Sequence, residues 1–205
     1  MGNVIIGQSG GPTAVINSSL AGAIRAAKDH GVKKVYGMHH GIEGFLNDDV
    51  IDMDIYFDDL YELSLLKRTP SAFLGSCRYK LPDIEGNEDT YEKIFAILNE
   101  LEIYAFFYIG GNDSMDTVAK LSEYLKTSDY EMRAIGIPKT IDNDLHFVGR
   151  TFGFETAVAA SVPAIRSAHA EALGAYHGIG LVKLMGRDSG FIAAYAALAN
   201  PVVNF

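Results

Sequence analysis

The apolar run Ile103–Ile109 stops abruptly at two glycines, and a segment of helical periodicity, Ser114–Leu125, follows it. Residues without side chains at the end of a buried strand permit a tight turn and leave backbone amides accessible beside the next helix. The chain opens in the same way, because the apolar strand Asn3–Gly7 leads into Gly10-Gly11. This repeated order of strand, glycine turn and helix predicts parallel strands joined by helical crossovers.

The remaining elements continue the alternation. Further strands are predicted at residues 33–37, 134–137 and 179–185, and helices at residues 58–67, 88–101, 156–172 and 189–199. In the first helix we expect Pro12 in the first turn and Gly31 just past the end, and we expect Pro163 to interrupt or kink its helix. The fold class is therefore α/β, with a doubly wound, mostly parallel sheet whose ligands bind at the carboxyl ends of the strands.

Composition limits the class of protein. The 205 residues are 48% hydrophobic, enough for the core of one globular domain or somewhat more, and the formal charge is −9. Such an acidic chain has no general attraction for nucleic acid or an anionic membrane. The single cysteine, Cys77, excludes an internal disulfide, and the sequence has no signal peptide or membrane-spanning run. We expect a cytoplasmic protein with neither nucleic-acid nor membrane partners.

Polar residues accompany the two glycine turns. At the first, Gly10 and Gly11 can cradle a phosphate at a helix N-terminus, although a plain turn also explains them, and neither G-x-G-x-x-G nor a P-loop is present. At the second, Asp113 and Ser114 can simply cap the helix. With Asp116 they also gather oxygen ligands beside bare amides, an arrangement that suits Mg²⁺ bound with a phosphate.

Later segments add charged groups. Lys139 precedes Asp142 and Asp144, whose carboxylates point the same way if the stretch is extended; a surface turn rich in Asx residues is the alternative. Arg78 and Arg187 are candidate anion clamps, although each taken singly is more often a solvated surface arginine. The histidines show no metal-binding spacing. Together these groups suit phosphoryl transfer to a hydroxyl, with a carboxylate as the base.

The motifs "SGGPTAVIN", "FLGSCRY", "YIGGNDS", "PKTIDND", "GFETA" and "MGR" occur in this order over nearly the whole chain. In this combination the chain resembles the 6-phosphofructokinase family. The resemblance implies a phosphofructokinase-like, Rossmann-type three-layer fold. It also implies a magnesium-dependent transferase of glycolysis that phosphorylates the C1 hydroxyl of fructose 6-phosphate, assembled as a homo-oligomer, either a dimer or a tetramer.

The resemblance also assigns roles to individual residues. Asp142 would be the proton acceptor, and Arg78 would face the transferring phosphoryl group. Asn112 would stand at the Mg²⁺ position, which normally holds an aspartate. Gly10 and Gly11 would contact the donor diphosphate. The sugar phosphate would be bound by Thr140, Ile141, Asp142, Met185, Gly186 and Arg187.

Two positions distinguish the branches of this family by phosphoryl donor. Where the ATP-using branch has glycines, this chain has Asp113 and Lys139. Asp113 adds volume and negative charge where the α-phosphate of ATP would lie, and Lys139 can neutralise the leaving orthophosphate. We therefore expect a readily reversible diphosphate–fructose-6-phosphate 1-phosphotransferase. The alternatives are an ATP-dependent phosphofructokinase and a non-catalytic phosphosugar-binding subunit; a lipid or NAD kinase would leave "PKTIDND" together with "MGR" unexplained.

The chain departs from the family at three positions and in length. Gly178 stands where some members carry an arginine that reaches a neighbouring subunit, and Arg150 stands where an aspartate is common. Phe152 stands where the pyrophosphate branch often has proline. By the resemblance, residues 1–147 form the phosphoryl-donor domain, and residues 148–205 form the truncated start of the fructose 6-phosphate domain. The chain is therefore expected to be a fragment that ends inside a strand at residues 199–205.

Overall fold

The alternation of strands and helices expected from the sequence is confirmed. The computed structural model describes residues 2–200. The chain divides into two units between Lys139 and Thr140, whereas the sequence analysis placed the domain boundary after Phe147. The strands of the described residues all lie in the first unit, and the described part of the second unit contains two helices.

One five-stranded sheet forms the centre of the first unit. Its strands are β1 (Asn3–Gln8), β2 (Val35–Met38), β3 (Val50–Asp52), β4 (Ile103–Gly110) and β5 (Arg133–Pro138). Their order is β3-β2-β1-β4-β5, and the neighbouring pairs are parallel except β2 with β3, which is antiparallel. The chain therefore extends the sheet on both sides of β1, which makes it doubly wound, as predicted.

Seven helices connect or flank these strands in the described residues. They are α1 (Ile16–Asp29), α2 (Gly41–Phe45), α3 (Leu60–Arg68), α4 (Glu88–Glu100), α5 (Asn112–Leu125), α6 (Phe154–Gly174) and α7 (Phe191–Leu198). Helix α1 ends at the predicted glycine: Gly31 has a φ of 69°, and the N–H of Val32 donates to the carbonyl of Ala27 at 3.1 Å. None of these helices combines the length and apolar character that crossing a bilayer requires.

Alternate residues of the strands enter two hydrophobic cores, one on each face of the sheet. In β1, Ile5 belongs to the core that contains Leu98 of α4 and Leu121 of α5. Its neighbours Val4 and Ile6 belong to the other core, which α1 and α3 complete. The strand period of two thus separates the apolar residues onto opposite faces and produces three layers.

A buried pair of amide side chains fastens the segment after α3 to the sheet. Gln8 and Asn17 are fully buried, and the Nε2 of Gln8 donates to the Oδ1 of Asn17 at 3.0 Å. The same oxygen accepts the N–H of Phe73 at 2.9 Å, and the Nδ2 of Asn17 donates to the carbonyl of Thr69 at 2.9 Å. The N–H of Leu74 donates to the Oε1 of Gln8 at 2.9 Å. Because buried amides need partners, these contacts fix the path of the chain after α3.

The second unit differs from the prediction at two places. Helix α6 runs through Pro163, so the expected interruption is wrong; Ala159, whose carbonyl loses its helical partner there, is exposed to solvent. Residues 179–185 form no strand, and Ile179 is 94% exposed. The described part of this unit offers no neighbouring strand for their backbone groups. Residues 201–205 of the expected closing strand lie outside the described residues.

Replacing Asn17 by alanine should destabilise the first unit. The change removes the side-chain partner of the carbonyl of Thr69, of the N–H of Phe73 and of the buried Nε2 of Gln8, and each buried group left unsatisfied costs about 1–3 kcal/mol. We expect urea denaturation to show a free energy of unfolding lower by at least about 2 kcal/mol. The control is Asn47→Ala, which removes an exposed amide bonded to the carbonyl of Glu43 and should cost less than about 0.5 kcal/mol. Equal losses in the two variants would contradict the role given to Asn17.

Candidate functional site

Three adjacent parallel strands, β1, β4 and β5, end at the same edge of the sheet, and the predicted chemical groups of the first unit follow them. Gly10 and Gly11 follow β1, Asn112 and Asp113 follow β4, and Lys139 follows β5. The structure therefore brings together residues from three distant parts of the sequence at the edge where ligands bind in such sheets.

The first glycine turn is separated from the helix that follows it. Gly10 adopts a φ of 77°, a conformation that favours glycine, and its N–H donates to the carbonyl of Cys77 at 3.2 Å. Beside Gly11 there is open space, since a Cβ built there meets no atom within 4 Å. Helix α1 begins only at Ile16, so the expectations that Pro12 lies in its first turn and that its N-terminus adjoins the glycines are wrong.

Arg78 is held beside the first glycine turn by its neighbours in the chain. Cys77 accepts the N–H of Gly10, and the hydroxyl of Ser76 donates to the carbonyl of Gly10. Cys77 is buried, as expected for a structural cysteine, and its Sγ lies 3.7 Å from the hydroxyl of Tyr108. Burial raises the pKa of Tyr108, so this phenol stays neutral behind the turn. Arg78 itself is exposed.

The second glycine turn leads directly into a helix. Gly111 is the N-cap of α5, so Asn112 and Asp113 occupy the first turn, where both are exposed. No side chain bonds the cap, so the simple capping role considered for Asp113 and Ser114 is absent from this turn. Ser114 is buried against Gly110, where an added Cβ would overlap the serine side chain. The glycine is therefore required for close packing between the strand end and the helix.

Asp116 lines the same groove as Asn112 and Asp113, as the sequence suggested, but its carboxylate is engaged by a lysine. Its carboxylate pairs with the ammonium of Lys120 at 3.0 Å, and Lys120 also pairs with Asp83 at 2.9 Å and donates to the carbonyl of Leu81 at 2.9 Å. The hydrogen bond between Lys120 and Asp83 raises the pKa of the lysine and lowers that of the aspartate. These contacts tie the segment before α4 to α5.

A groove of about 500 Å³ lies between this segment and the first turns of α5. It is lined by Lys80, Leu81, Pro82, Asp83, Asn112, Asp113, Asp116 and Lys120.

Lys139 connects the two glycine turns. Its backbone N–H donates to the carbonyl of Gly110 at 2.7 Å, and its Nζ donates to the carbonyl of Gly11. The residue is only 5% exposed. A positive charge therefore lies directly behind the exposed backbone of Gly11, in a chain whose overall charge is negative.

The segment that opens the second unit is turned rather than extended. The hydroxyl of Thr140 accepts the N–H of Asp142 at 3.1 Å, and Asn143 has a left-handed φ of 56°. The condition under which Asp142 and Asp144 would point the same way is therefore not met, because local side-chain hydrogen bonds replace the extended backbone. Thr140 is buried, whereas Ile141 and Asp142 are half-buried.

Ser189 joins the Asp142 segment to the predicted arginine loop. Its hydroxyl lies 3.1 Å from the carbonyl oxygen of Asp142 and 2.9 Å from that of Gly186, to which it can donate. Gly186 is buried with a φ of 122°, and the neighbouring Met185 and Arg187 are exposed. The sequence analysis missed Ser189, because nothing in its local pattern reveals a contact with a segment 47 residues away.

Two of the three departures from the family motifs, Gly178 and Arg150, have structural counterparts, and the third residue, Phe152, is exposed. At Gly178, an added Cβ would overlap the carbonyl of Ala172, so this backbone has no room for the arginine found in some members. Arg150 pairs with Glu155 at 2.8 Å, and both side chains are largely exposed. The positive charge of Arg150 is thus paired with a carboxylate of the second unit.

Comparisons with known proteins agree on one family. The family model described as phosphofructokinase matches residues 3–203. A protein of Halomonas elongata named pyrophosphate–fructose 6-phosphate 1-phosphotransferase is 39% identical over 202 residues, which are 96% of this chain and 48% of that protein. A protein of Borreliella burgdorferi named ATP-dependent 6-phosphofructokinase is 37% identical over 201 residues, 96% of this chain and 42% of that protein. The chain spans about half the length of the curated relatives it matches.

Solved structures lead to the same fold. The crystal structure of a pyrophosphate-dependent phosphofructokinase from Nitrosospira multiformis matches with a TM-score of 0.79 and 36% identity, over 96% of this chain and 49% of that one. Phosphofructokinase of Pichia pastoris matches with a TM-score of 0.73 at 15% identity, over 100% of this chain and 21% of that one. The second likeness concerns the fold alone.

Removal of the Lys120 ammonium should loosen the segment it holds. In Lys120→Met, the carbonyl of Leu81 and the carboxylate of Asp83 lose their shared donor, so amide hydrogen exchange around residues 81–84 should be roughly tenfold faster, about 1.4 kcal/mol of local opening. Lys126→Met, at the exposed C-terminal end of the same helix, is the matched control. Unchanged exchange in Lys120→Met would show that other contacts hold the segment.

Proposed function

The chain belongs to the phosphofructokinase family, and we propose that it serves a diphosphate-dependent enzyme of that family. The reaction moves a phosphoryl group from diphosphate to the C1 hydroxyl of fructose 6-phosphate. An oxygen–phosphorus bond forms at C1, the bridging bond of diphosphate breaks, and the hydroxyl proton passes to a carboxylate. The products are fructose 1,6-bisphosphate and orthophosphate. The names of the Halomonas relative and of the Nitrosospira enzyme, both pyrophosphate-dependent, support this choice of donor.

The observation that carries the proposal is the position of Lys139. Its ammonium bonds the carbonyl of Gly11 and so places a fixed positive charge behind a glycine turn with open space in front of it. Phosphoryl transfer depends on positioning and on charge neutralisation rather than on covalent chemistry by the protein. A buried cation at this point stabilises the developing charge of a small inorganic leaving group.

Asp113 supplies the selection against ATP in this proposal. It is exposed in the first turn of α5, beside the groove at the end of β4. Like charges 4 Å apart repel by about 4 kcal/mol at an effective dielectric of 20 and by about 1 kcal/mol in bulk water. Because Asp113 is exposed, the smaller end of this range applies, and the expected discrimination against the α-phosphate is about fivefold.

The acceptor side of the reaction rests on residues of the second unit. We assign Asp142 as the proton acceptor and Thr140, Ile141, Met185, Gly186 and Arg187 as groups that bind the sugar phosphate. The bond from Ser189 to the carbonyl of Asp142 supports this assignment, since it holds the carboxylate segment and the arginine loop in one arrangement. Arg187 is exposed and therefore accessible to an anionic ligand.

Magnesium fits the oxygen groups at the start of α5. The amide oxygen of Asn112 is a hard, uncharged ligand on an exposed turn, and Mg²⁺ commonly keeps several of its waters, so one or two protein ligands suffice. The ion neutralises the charge of diphosphate when bound. Asp116 is engaged by Lys120, which leaves Asn112 as our choice for the magnesium position.

Composition and family membership support a cellular location and an oligomeric state for the enzyme. The acidic chain with one buried cysteine supports a cytoplasmic location. Membership of the family supports a homo-oligomer, either a dimer or a tetramer, and light scattering on the full protein distinguishes these states.

A donor assay tests the proposed reaction. The full-length protein with fructose 6-phosphate and Mg²⁺ should form fructose 1,6-bisphosphate at least about tenfold faster with diphosphate than with ATP. Asp142→Asn should lower kcat by about 10²–10⁴, whereas Asp129→Asn, the same change at an exposed position outside the proposed site, should retain most of the activity. Preference for ATP would identify the ATP-dependent alternative. Binding of fructose 6-phosphate without turnover of either donor would identify a non-catalytic subunit.

Asp113→Gly tests the account of donor choice directly. Loss of the exposed carboxylate should increase kcat/KM with ATP by about fivefold. Because the change places a glycine in the first turn of a helix, it should lower the free energy of unfolding by about 1 kcal/mol. Asp89→Gly is the matched control, because it makes the same change at the second position of α4. If neither Asp113→Gly nor its combination with Lys139→Gly improves the use of ATP, the exclusion argument is wrong.

A further inference from the structure

We propose that His39, His40 and Asp49 form a binding site for a divalent cation of the zinc class. One ligand atom from each of these residues can be chosen such that all three lie within 4.8 Å of one another. The expectation from the sequence that the histidines offer no metal site is therefore wrong for this group. The third ligand comes from a separate position beyond α2, which spacing between histidines cannot reveal. None of the three has a role in the proposed phosphoryl transfer.

The ligand chemistry selects zinc rather than magnesium. Two imidazoles and one carboxylate match the three-ligand sets of open tetrahedral zinc sites, whereas Mg²⁺ prefers oxygen ligands alone. Zn²⁺ binds nitrogen and oxygen at about 2.0–2.2 Å, so neighbouring tetrahedral ligands lie about 3.3 Å apart. The Nδ1 of His39 and the Oδ2 of Asp49 are 2.8 Å apart. A shift of about half an ångström therefore lets a metal ion replace the proton between them.

Backbone hydrogen bonds hold the three ligands independently of the metal. The N–H of His39 donates to the carbonyl of Asp49 at 3.1 Å, and the N–H of Asp49 donates to the carbonyl of Gly44 at 3.0 Å. The N–H of His40 donates to the carbonyl of Leu74 at 2.7 Å. These bonds connect the ligand residues with one another and with Gly44 and Leu74. Because the backbone of the ligands is already fixed, an ion loses little binding free energy to ordering it.

The conformation of His40 is the most specific feature of the cluster. Its φ of 55° is uncommon for a residue with a side chain, and it brings the imidazole to within a centroid distance of 4.1 Å from that of His39. The ring also packs on Gly75, where an added Cβ would come within 2.5 Å of its Nδ1. The hydrogen bond between His39 and Asp49 does not involve His40, whereas a three-ligand site needs the imidazole of His40 beside them.

The site is open to solvent on one side, and an ion bound there would connect two strands. His39 and Asp49 are half-buried and His40 is exposed, so water can supply the fourth ligand. A bound ion would join the end of β2 to the residue that precedes β3. It would thereby clamp the short antiparallel edge strand, which no other described strand supports on its outer side.

Zinc titration of the full-length protein, freed of metal with a chelator, tests the proposal. Competition with a chromogenic chelator should give one equivalent of Zn²⁺ per chain, and excess Mg²⁺ should not displace it. Zinc at 100-fold excess over its Kd should raise the Tm by about 3 °C. Co²⁺ in place of zinc should give the visible absorption of a tetrahedral nitrogen–oxygen site.

Matched variants separate this site from adventitious binding by surface histidines. His40→Asn and Asp49→Asn should each weaken zinc binding by at least about tenfold and abolish the rise in Tm. His177→Asn is the control, since His177 is also an exposed histidine with a left-handed φ, of 51°. Zinc binding that survives both first variants, or an absent tetrahedral cobalt spectrum in the unaltered protein, overturns the proposal. If His40→Asn fails to fold, Asp49→Asn and the cobalt spectrum decide it.

Discussion

The two glycine turns at the carboxyl ends of β1 and β4 are held together by one buried ammonium, that of Lys139. Lys139 follows β5, bonds the glycine turn after β4 through its backbone, and reaches the glycine turn after β1 through its side chain. Hydrogen bonds of the strands align only the strands themselves, whereas the turns beyond them need contacts of their own. A lysine is long enough to span the middle strand, and its charge suits a carbonyl that faces it in a nearly water-free place.

This connection requires that the turn after β1 is itself held in place. The amides of Gln8 and Asn17 fix the chain after α3, and that chain in turn gives Gly10 a carbonyl partner at Cys77. Arg78 is thus positioned by buried polar groups to which we assign no part in ligand binding. Partly satisfied polar networks are costly, so the integrity of the network and the placement of the arginine are linked.

The sequence reveals the elements and many of the chemical groups, because strand period, glycine turns and helical period are local signals. It does not reveal contacts between distant segments, such as those made by Ser189 and Lys120, since no local pattern encodes a partner. The failed strand at residues 179–185 has the same origin: apolar, β-branched residues indicate a strand, but a strand also needs a neighbour. The meeting of His39 and His40 with Asp49 likewise depends on a turn that the intervening residues build.

The two residues that we propose to select the phosphoryl donor differ in burial. Asp113 is exposed in the first turn of a helix that begins without it as a cap, so a change there alters charge and volume near the groove with only a small effect on folding. Lys139 is 5% exposed and bonded to both glycine turns, so its loss changes the proposed donor site and the scaffold together. Under this proposal, donor choice can be adjusted at Asp113, whereas Lys139 can change only if another group takes over the support of Gly11.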